Sequence, residues 1–178
     1  NISRKNSIYS EMTGVYWLWR NAPQTEYIGF CHYRRHFSLN SGELARVRLS
    51  GVDIVVSVLP LSVPDNREFF IWSGYLSREI FVLLDELVQE KVPEYTSSFH
   101  VVCDSPLLVP CNMFIMRWLW FDKYCSWLFP LAEELERRVA DAGLATPRYM
   151  GYVTEILMSV FIAHHKNDAK IALADRIV

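Results

Sequence analysis

The residues most able to do chemistry crowd into one stretch, Tyr27-Ile28-Gly29-Phe30-Cys31-His32-Tyr33-Arg34-Arg35-His36-Phe37. Its first half reads as a short buried strand. Its second half places two imidazoles, a phenol and two guanidiniums where that strand should end. In open α/β sheets, ligands bind beyond the carboxyl ends of strands. Arginine offers five donors in a fixed fork that fits phosphate or carboxylate. Arg34 and Arg35 at a strand end therefore predict an anion site, most simply for phosphate. The competing reading pairs the arginines with acidic residues and packs the histidines, and clustered charge alone leaves both open.

Other candidates carry less. His32 and His36 have the spacing of metal ligands on a helix, but the preceding run reads as strand and no H-E-x-x-H occurs, so no metal site is expected. Glu11 falls in the first turns of a helix, where a carboxylate either complements the helix dipole or orients an arginine. Glu155, beside Ile156 on the last helix, is a carboxylate that could face a cleft. Phe69, Phe70 and Trp72 could stack on a sugar or fill a core, the commoner use. His164-His165 reads as solvated surface. There is no G-x-G-x-x-G, no Walker A loop and no G-x-S-x-G elbow.

The elements that must position these groups follow from periodicity and punctuation. Tyr9, Met12, Tyr16 and Trp19 recur at helical spacing, capped by Asn6 or Ser7 and ended near Asn21 and Pro23. Tyr27–Cys31 and the Gly51–Val58 run are buried strands. Asn40–Ser50 is expected to cross the surface, and Pro60–Gly74 to be an irregular loop. Ser77 caps a helix to about Gln89 whose stripe is Ile80, Leu83, Leu84, Leu87 and Val88. Phe99–Cys103, Leu107–Val109 and Asn112–Met116 read as strands. Helices follow from Phe121 to about Ala140, where Pro130 can kink it, and from Tyr149 to His164. The tail reads as peripheral.

Composition narrows the class. The chain has 178 residues, 51% hydrophobic and 14% aromatic, which suits one ordered domain over 1–178 rather than a disordered chain. A net charge of −2 gives no global field for nucleic acid, so no nucleic-acid partner is expected. No apolar run reaches membrane-span length. The four cysteines, Cys31, Cys103, Cys111 and Cys125, form no C-x-x-C pair and suit a reducing cytoplasm. The absence of an initiator Met leads to the expectation of a piece of a longer chain.

Several longer motifs carry a resemblance. They are Asn1-Ile2-Ser3 with Lys5-Asn6, Glu11-Met12-Thr13-Gly14-Val15-Tyr16-Trp17-Leu18-Trp19-Arg20-Asn21, the Tyr27–Arg35 stretch, Asn112-Met113-Phe114-Ile115-Met116, Tyr124-Cys125-Ser126-Trp127-Leu128-Phe129, and Arg148-Tyr149-Met150-Gly151-Tyr152. On these the chain resembles a bacterial glycosyltransferase family, long labelled a domain of unknown function, of capsular polysaccharide, exopolysaccharide and lipopolysaccharide O-antigen gene clusters. Two departures stand out. Members usually carry a further N-terminal segment with a first strand, which this chain lacks. They usually show Ser-Glu-Arg after Gly-Tyr, where this chain has Thr154-Glu155-Ile156.

The resemblance implies an α/β, GT-A-like single domain with a mostly parallel sheet flanked by helices, lacking its N-terminal strand segment. It implies a hexosyltransferase that moves a sugar from a nucleotide-sugar, UDP-linked by expectation, to a growing surface glycan or lipid-linked glycan. The work would be done in the cytoplasm or at the inner face of the membrane, with peripheral membrane association allowed. In GT-A enzymes an Asp-x-Asp ends a central strand and holds a metal on the diphosphate. Here His32-Tyr33-Arg34-Arg35 stands in that place, so the expected mechanism needs no cofactor, with Mn or Mg as the alternative. Arg34, Arg35 and Tyr33, with Lys5 and Asn6, would hold the donor diphosphate, and His32 would orient or protonate it. Glu155 would be the base. Asn112, Glu11, Arg148 and Tyr152 would bind or orient the sugar. The alternative from another class is a non-catalytic glycan- or phosphate-binding module. A purely structural or membrane-docking piece would leave Arg34 and Arg35 unexplained.

Overall fold

The computed structural model describes residues 2–32 and 34–177. In chain order the helices are α1 (Asn6–Tyr9), α2 (Met12–Asn21), α3 (Ser41–Leu49), α4 (Asn66–Trp72), α5 (Arg78–Lys91), α6 (Thr96–Cys103), α7 (Trp118–Asp141) and α8 (Tyr149–His164). The strands are β1 (Tyr27–Phe30), β2 (His36–Phe37), β3 (Ile54–Val56), β4 (Leu59–Pro60), β5 (Leu107–Leu108), β6 (Phe114–Arg117), β7 (Ile171–Leu173) and β8 (Arg176–Ile177).

The main sheet has the order β1-β6-β3-β7. β6 runs antiparallel to both β1 and β3, and β7 lies parallel to β3. Three strands thus share one direction, with β6 reversed between two of them. The expected mostly parallel sheet is corrected to a mixed one. The α/β class stands.

The core explains the long helices. α8 is buried on nearly every side, with Val153, Ile156, Leu157, Val160 and Phe161 fully enclosed. A helix apolar all round belongs inside a fold. α7 shows the amphipathic alternative: Tyr124, Leu128, Leu135 and Val139 point inward, while Arg137 and Arg138 bridge to Glu134 outside. Ser77 caps α5 by accepting from Ile80 N–H, as its sequence implies.

Asn40–Ser50 crosses the surface as expected, as the helix α3, which buries none of its residues and is closed by a reciprocal capping box between Asn40 and Glu43. Three segments depart from the sequence reading. The expected loop contains α4, capped by Asp65. That helix turns Phe70 into the core and leaves Trp72 exposed. The β-branched pair Val101-Val102 suggested a strand, but the segment is α6. It packs against α8, burying Phe99, Val102 and Cys103 while Val101 stays exposed. Packing overrides propensity there. The tail is not peripheral: β7 completes the main sheet, and β8 pairs with β2.

The histidine pair also differs from expectation. His165 is buried, within hydrogen-bonding distance of Tyr95 Oη at 2.9 Å and Asp168 at 3.3 Å. Burial pulls its pKa below the usual histidine value.

Candidate functional site

β1 ends at a cleft of about 560 Å³ lined by Asn6, Ser7, Ser10, Glu11, Phe30, Cys31, His32 and Arg148. Three elements meet there. The α1–α2 break brings Ser10 and Glu11. The end of β1 brings Phe30, Cys31 and His32. The start of α8 brings Arg148. The break matters, because the sequence reads as one continuous helix from Tyr9 to Trp19. Ser10 instead adopts φ 50° and reverses the chain, so that α2 begins afresh at Met12.

Positive φ recurs around this cleft. Among the described residues the non-glycine positions with positive φ are Ser10, Cys111, Asn112 and Arg148. Ser10 and Arg148 line the cleft, and Cys111 and Asn112 bond to its other members. Such conformations cost about 1–3 kcal/mol each and persist only where surrounding contacts hold them.

Asn112 is fully buried. Its Nδ2 donates to Glu11 Oε1 at 2.8 Å and to Gly151 O at 3.3 Å. Its Oδ1 has no partner among the described residues. His32 Nε2 donates to Cys111 O at 2.8 Å and sits 3.7 Å from Glu11 Oε1, an ion-pair distance rather than a hydrogen bond. The Glu11 contact raises the His32 pKa above 6.5, with burial opposing it and losing. Burial pushes Glu11 upward, but His32 and Asn112 outweigh it and hold its carboxyl below the usual range. The contact between Glu11 and His32 therefore favours the ionised form of each partner.

Glu155 lies on the same turn of α8 as Thr154, which donates to Gly151 O at 2.8 Å. Burial, reinforced by the negative charge of Glu11, pushes the Glu155 carboxyl up to about 7, while the Cys111 amide, His32 and Arg35 pull the other way. A carboxylate poised near neutrality is suited to take a proton.

The structure thus brings His32, Glu11, Asn112 and Glu155 to one centre around the Cys111-Asn112 turn, with Asn6 and Arg148 on the cleft wall. Arg148 Nε donates to Ser10 Oγ at 3.3 Å, and its guanidinium lies over the Tyr152 ring. Tyr152 stacks on Tyr75 at 4.3 Å, beside the cleft rather than in it. Arg35 points to Cys111 Sγ, to which its Nη1 donates at 3.3 Å. Arg34 is exposed. Neither arginine lines the cleft. Lys5 is directed elsewhere, into an ion pair with Glu136 at 2.6 Å that also receives Tyr9 Oη. Tyr33 lies outside the described residues. Ile156 stands where the resemblance calls for Arg, and it is fully buried.

Sequence reading missed Ser10, Cys111 and the tail residue Arg176, whose Nη1 also reaches Cys111 Sγ, at 3.5 Å. The available signal was Pro110-Cys111-Asn112, since proline and asparagine, each a turn former, flank Cys111. Among the described residues no group of three or more His, Cys, Asp or Glu side chains is placed to hold a metal ion. Nor is any helix among them long and apolar enough to cross a membrane.

A family profile described as a domain of unknown function, DUF4422, matches residues 1–167. No curated protein matches the chain. The fold is similar to that of WbbM, a bifunctional glycosyltransferase solved in its apo state, with a TM-score of 0.84 at 24% identity. That alignment covers 99% of this chain and 37% of WbbM, so the chain spans little more than a third of that protein.

Proposed function

The chain belongs to the DUF4422 family, and from that premise we propose that it transfers a sugar from a nucleotide-sugar, UDP-linked, to a hydroxyl of a growing surface glycan. The observation that carries this reading is the placement of Glu155, a carboxylate poised near pH 7, in one centre with His32, whose pKa the Glu11 contact raises. Likeness of fold to a glycosyltransferase supports it.

The chemistry asked of these residues balances as follows. The acceptor oxygen bonds to the anomeric carbon as the bond from that carbon to the diphosphate oxygen breaks. The electron pair leaves with the nucleoside diphosphate. The acceptor proton passes to Glu155, which is partly ionised at neutral pH and close enough to its pKa to exchange protons readily. Charge growing on the leaving diphosphate meets His32 in the cleft, with Arg35 at Cys111 and Arg34 on the surface as the cations next to it, a role that cationic clamps fill in phosphoryl chemistry. His32 Nε2 is committed to Cys111 O, and no hydrogen bond to Nδ1 occurs among the described residues. In the protonated ring Nδ1–H is the donor offered to a phosphate oxygen. Asn112 fixes Glu11, and Glu11 fixes His32, so both act as positioning residues. Every step uses this chain's own residues, and manganese enters as a variable of the test.

The test incubates the protein with UDP-hexoses and an acceptor glycan, with and without manganese, and follows UDP release and product mass. Sugar transfer is the expected result. UDP-sugar binding without any turnover, in a longer chain that includes the flanking sequence as well as in this one, would replace the transferase by the binding-module reading.

A further inference from the structure

Arg176 belongs to β8, beyond the residues matched by the family profile. β8 pairs antiparallel with β2, Phe37 opposite Arg176. Arg35 lies two residues before Phe37, just ahead of β2, in a bridge with His32. The β2–β8 pairing brings the two arginines close, where like charges repel. Both guanidiniums reach the same atom, Cys111 Sγ. Burial pushes the Cys111 thiol up, with the two arginines opposing it, so the sulfur they share is a neutral acceptor. Among the described residues neither guanidinium forms an ion pair with a carboxylate, and Glu155, the acid nearest in influence, is itself partly protonated at neutral pH. The Cys111 carbonyl meanwhile holds His32, so the imidazole and the two guanidiniums converge on one residue with positive φ.

Two forked cations held against one neutral sulfur are suited to a doubly charged anion. Each fork can give two parallel N–H bonds to phosphate oxygens. We propose that Arg35 and Arg176 form a diphosphate clamp, with the C-terminal strand β8 supplying the second jaw. This deepens the transferase reading and rests on it for the identity of the ligand, the diphosphate of the nucleotide-sugar. It gives the tail a role: β8 carries Arg176 to the residues that follow β1.

Calorimetric titration of inorganic pyrophosphate and of UDP into the chain, as wild type, Arg35→Gln, Arg176→Gln and Arg176→Lys, tests the clamp. The expected result is pyrophosphate binding by the wild type that weakens on the order of tenfold in either glutamine variant and severalfold in Arg176→Lys, which keeps the charge but loses the fork. Circular dichroism checks each fold, and Arg176→Lys carries the test if Arg176→Gln fails to fold. Pyrophosphate affinity unchanged in the folded Arg176 variants, or no pyrophosphate binding by the wild type, overturns the clamp. A donor-turnover assay separates this from the parent reading. Turnover with a donor KM untouched by Arg176→Lys removes the clamp and keeps the transferase. Pyrophosphate binding lost in the variants, with no sugar turned over by the wild type, keeps the anion clamp and removes the transferase.

Discussion

Two fully buried asparagines set two regions of this molecule side by side. Asn66 opens α4, and its Nδ2 reaches the carbonyls of Val102, Ser105 and Leu107 at 2.8, 2.8 and 2.9 Å. It pins the chain after α6 to the start of another helix, and all its partners are backbone. Asn112 sits in a turn with φ 50° and spends its amide on a carboxylate, Glu11, and on Gly151 O. The same side chain, equally buried, is a structural rivet in one place and a positioning group in the other. The backbone repeats the contrast. Away from the cleft, positive φ falls to Gly51, Gly74 and Gly143, whereas around the cleft it falls to Ser10, Cys111, Asn112 and Arg148. Residues with side chains accept that strain where the side chain is needed.

The largest break in the comparison should come from Glu155→Gln. Turnover falls by about 10²–10⁴-fold if Glu155 is the base, read as initial rates of UDP release. Stability should move the opposite way. An ionised Glu155 bears its burial cost only in the folded chain, since its folded pKa of about 7 lies above the ordinary carboxylate value. Its contribution is therefore most favourable below the unfolded pKa and is lost as pH rises through 7. Glu155→Gln should stabilise the protein by roughly 1–3 kcal/mol at pH 8 and by little at pH 4, measured by denaturant unfolding. Unchanged turnover would remove Glu155 from the mechanism.

The asparagine pair gives the next effect. Asn66→Ala strands buried carbonyls and should cost about 2–4 kcal/mol, a Tm drop of several degrees, with specific turnover of the folded fraction retained. Asn112→Ala strands one buried carbonyl, Gly151 O, where Asn66→Ala strands three, so it should cost less stability, but it should lower turnover by freeing Glu11. Equal behaviour of the two variants would dissolve the distinction between rivet and positioning group.

The smallest effect is the most local. An NMR titration of His32 should show a pKa above the ordinary histidine value, and Glu11→Gln should bring it down, because Glu11 is the main cause of the rise. The stability that this pair contributes through His32 is present below the unfolded histidine pKa and fades as pH rises through the folded one. A His32 titration indifferent to Glu11→Gln would break the link from Asn112 through Glu11 to the imidazole.

Much of this was legible along the chain. The apolar runs of α5, α7 and α8 and the buried strand β3 stand out by their own pattern, whereas β1, read as buried, is an edge strand and only half-buried. Glu11, His32, Asn112 and Glu155 were identifiable as chemistry-bearing residues in quotable motifs. What could not be read was their meeting. The Ser10 reversal breaks a pattern that looks like one helix, since nothing local in Tyr9-Ser10-Glu11 demands positive φ. Val101-Val102 favours strand until α8 offers a helix face to pack on. The tail is short and weakly patterned, and only pairing with β3 and β2 makes strands of it.

Composition, periodicity and capping thus determined the α/β class, the long helices and the strand β1 that ends just before His32, because those depend on contacts between residues near in sequence. The tertiary structure alone decided which groups share a centre. It turned Lys5 toward Glu136, joined Glu11 to an asparagine 101 residues away, and carried Arg176 to the thiol that Arg35 also meets. The charge states of His32 and Glu155 were decided there too, since a pKa depends on the burial and neighbours that only folding supplies.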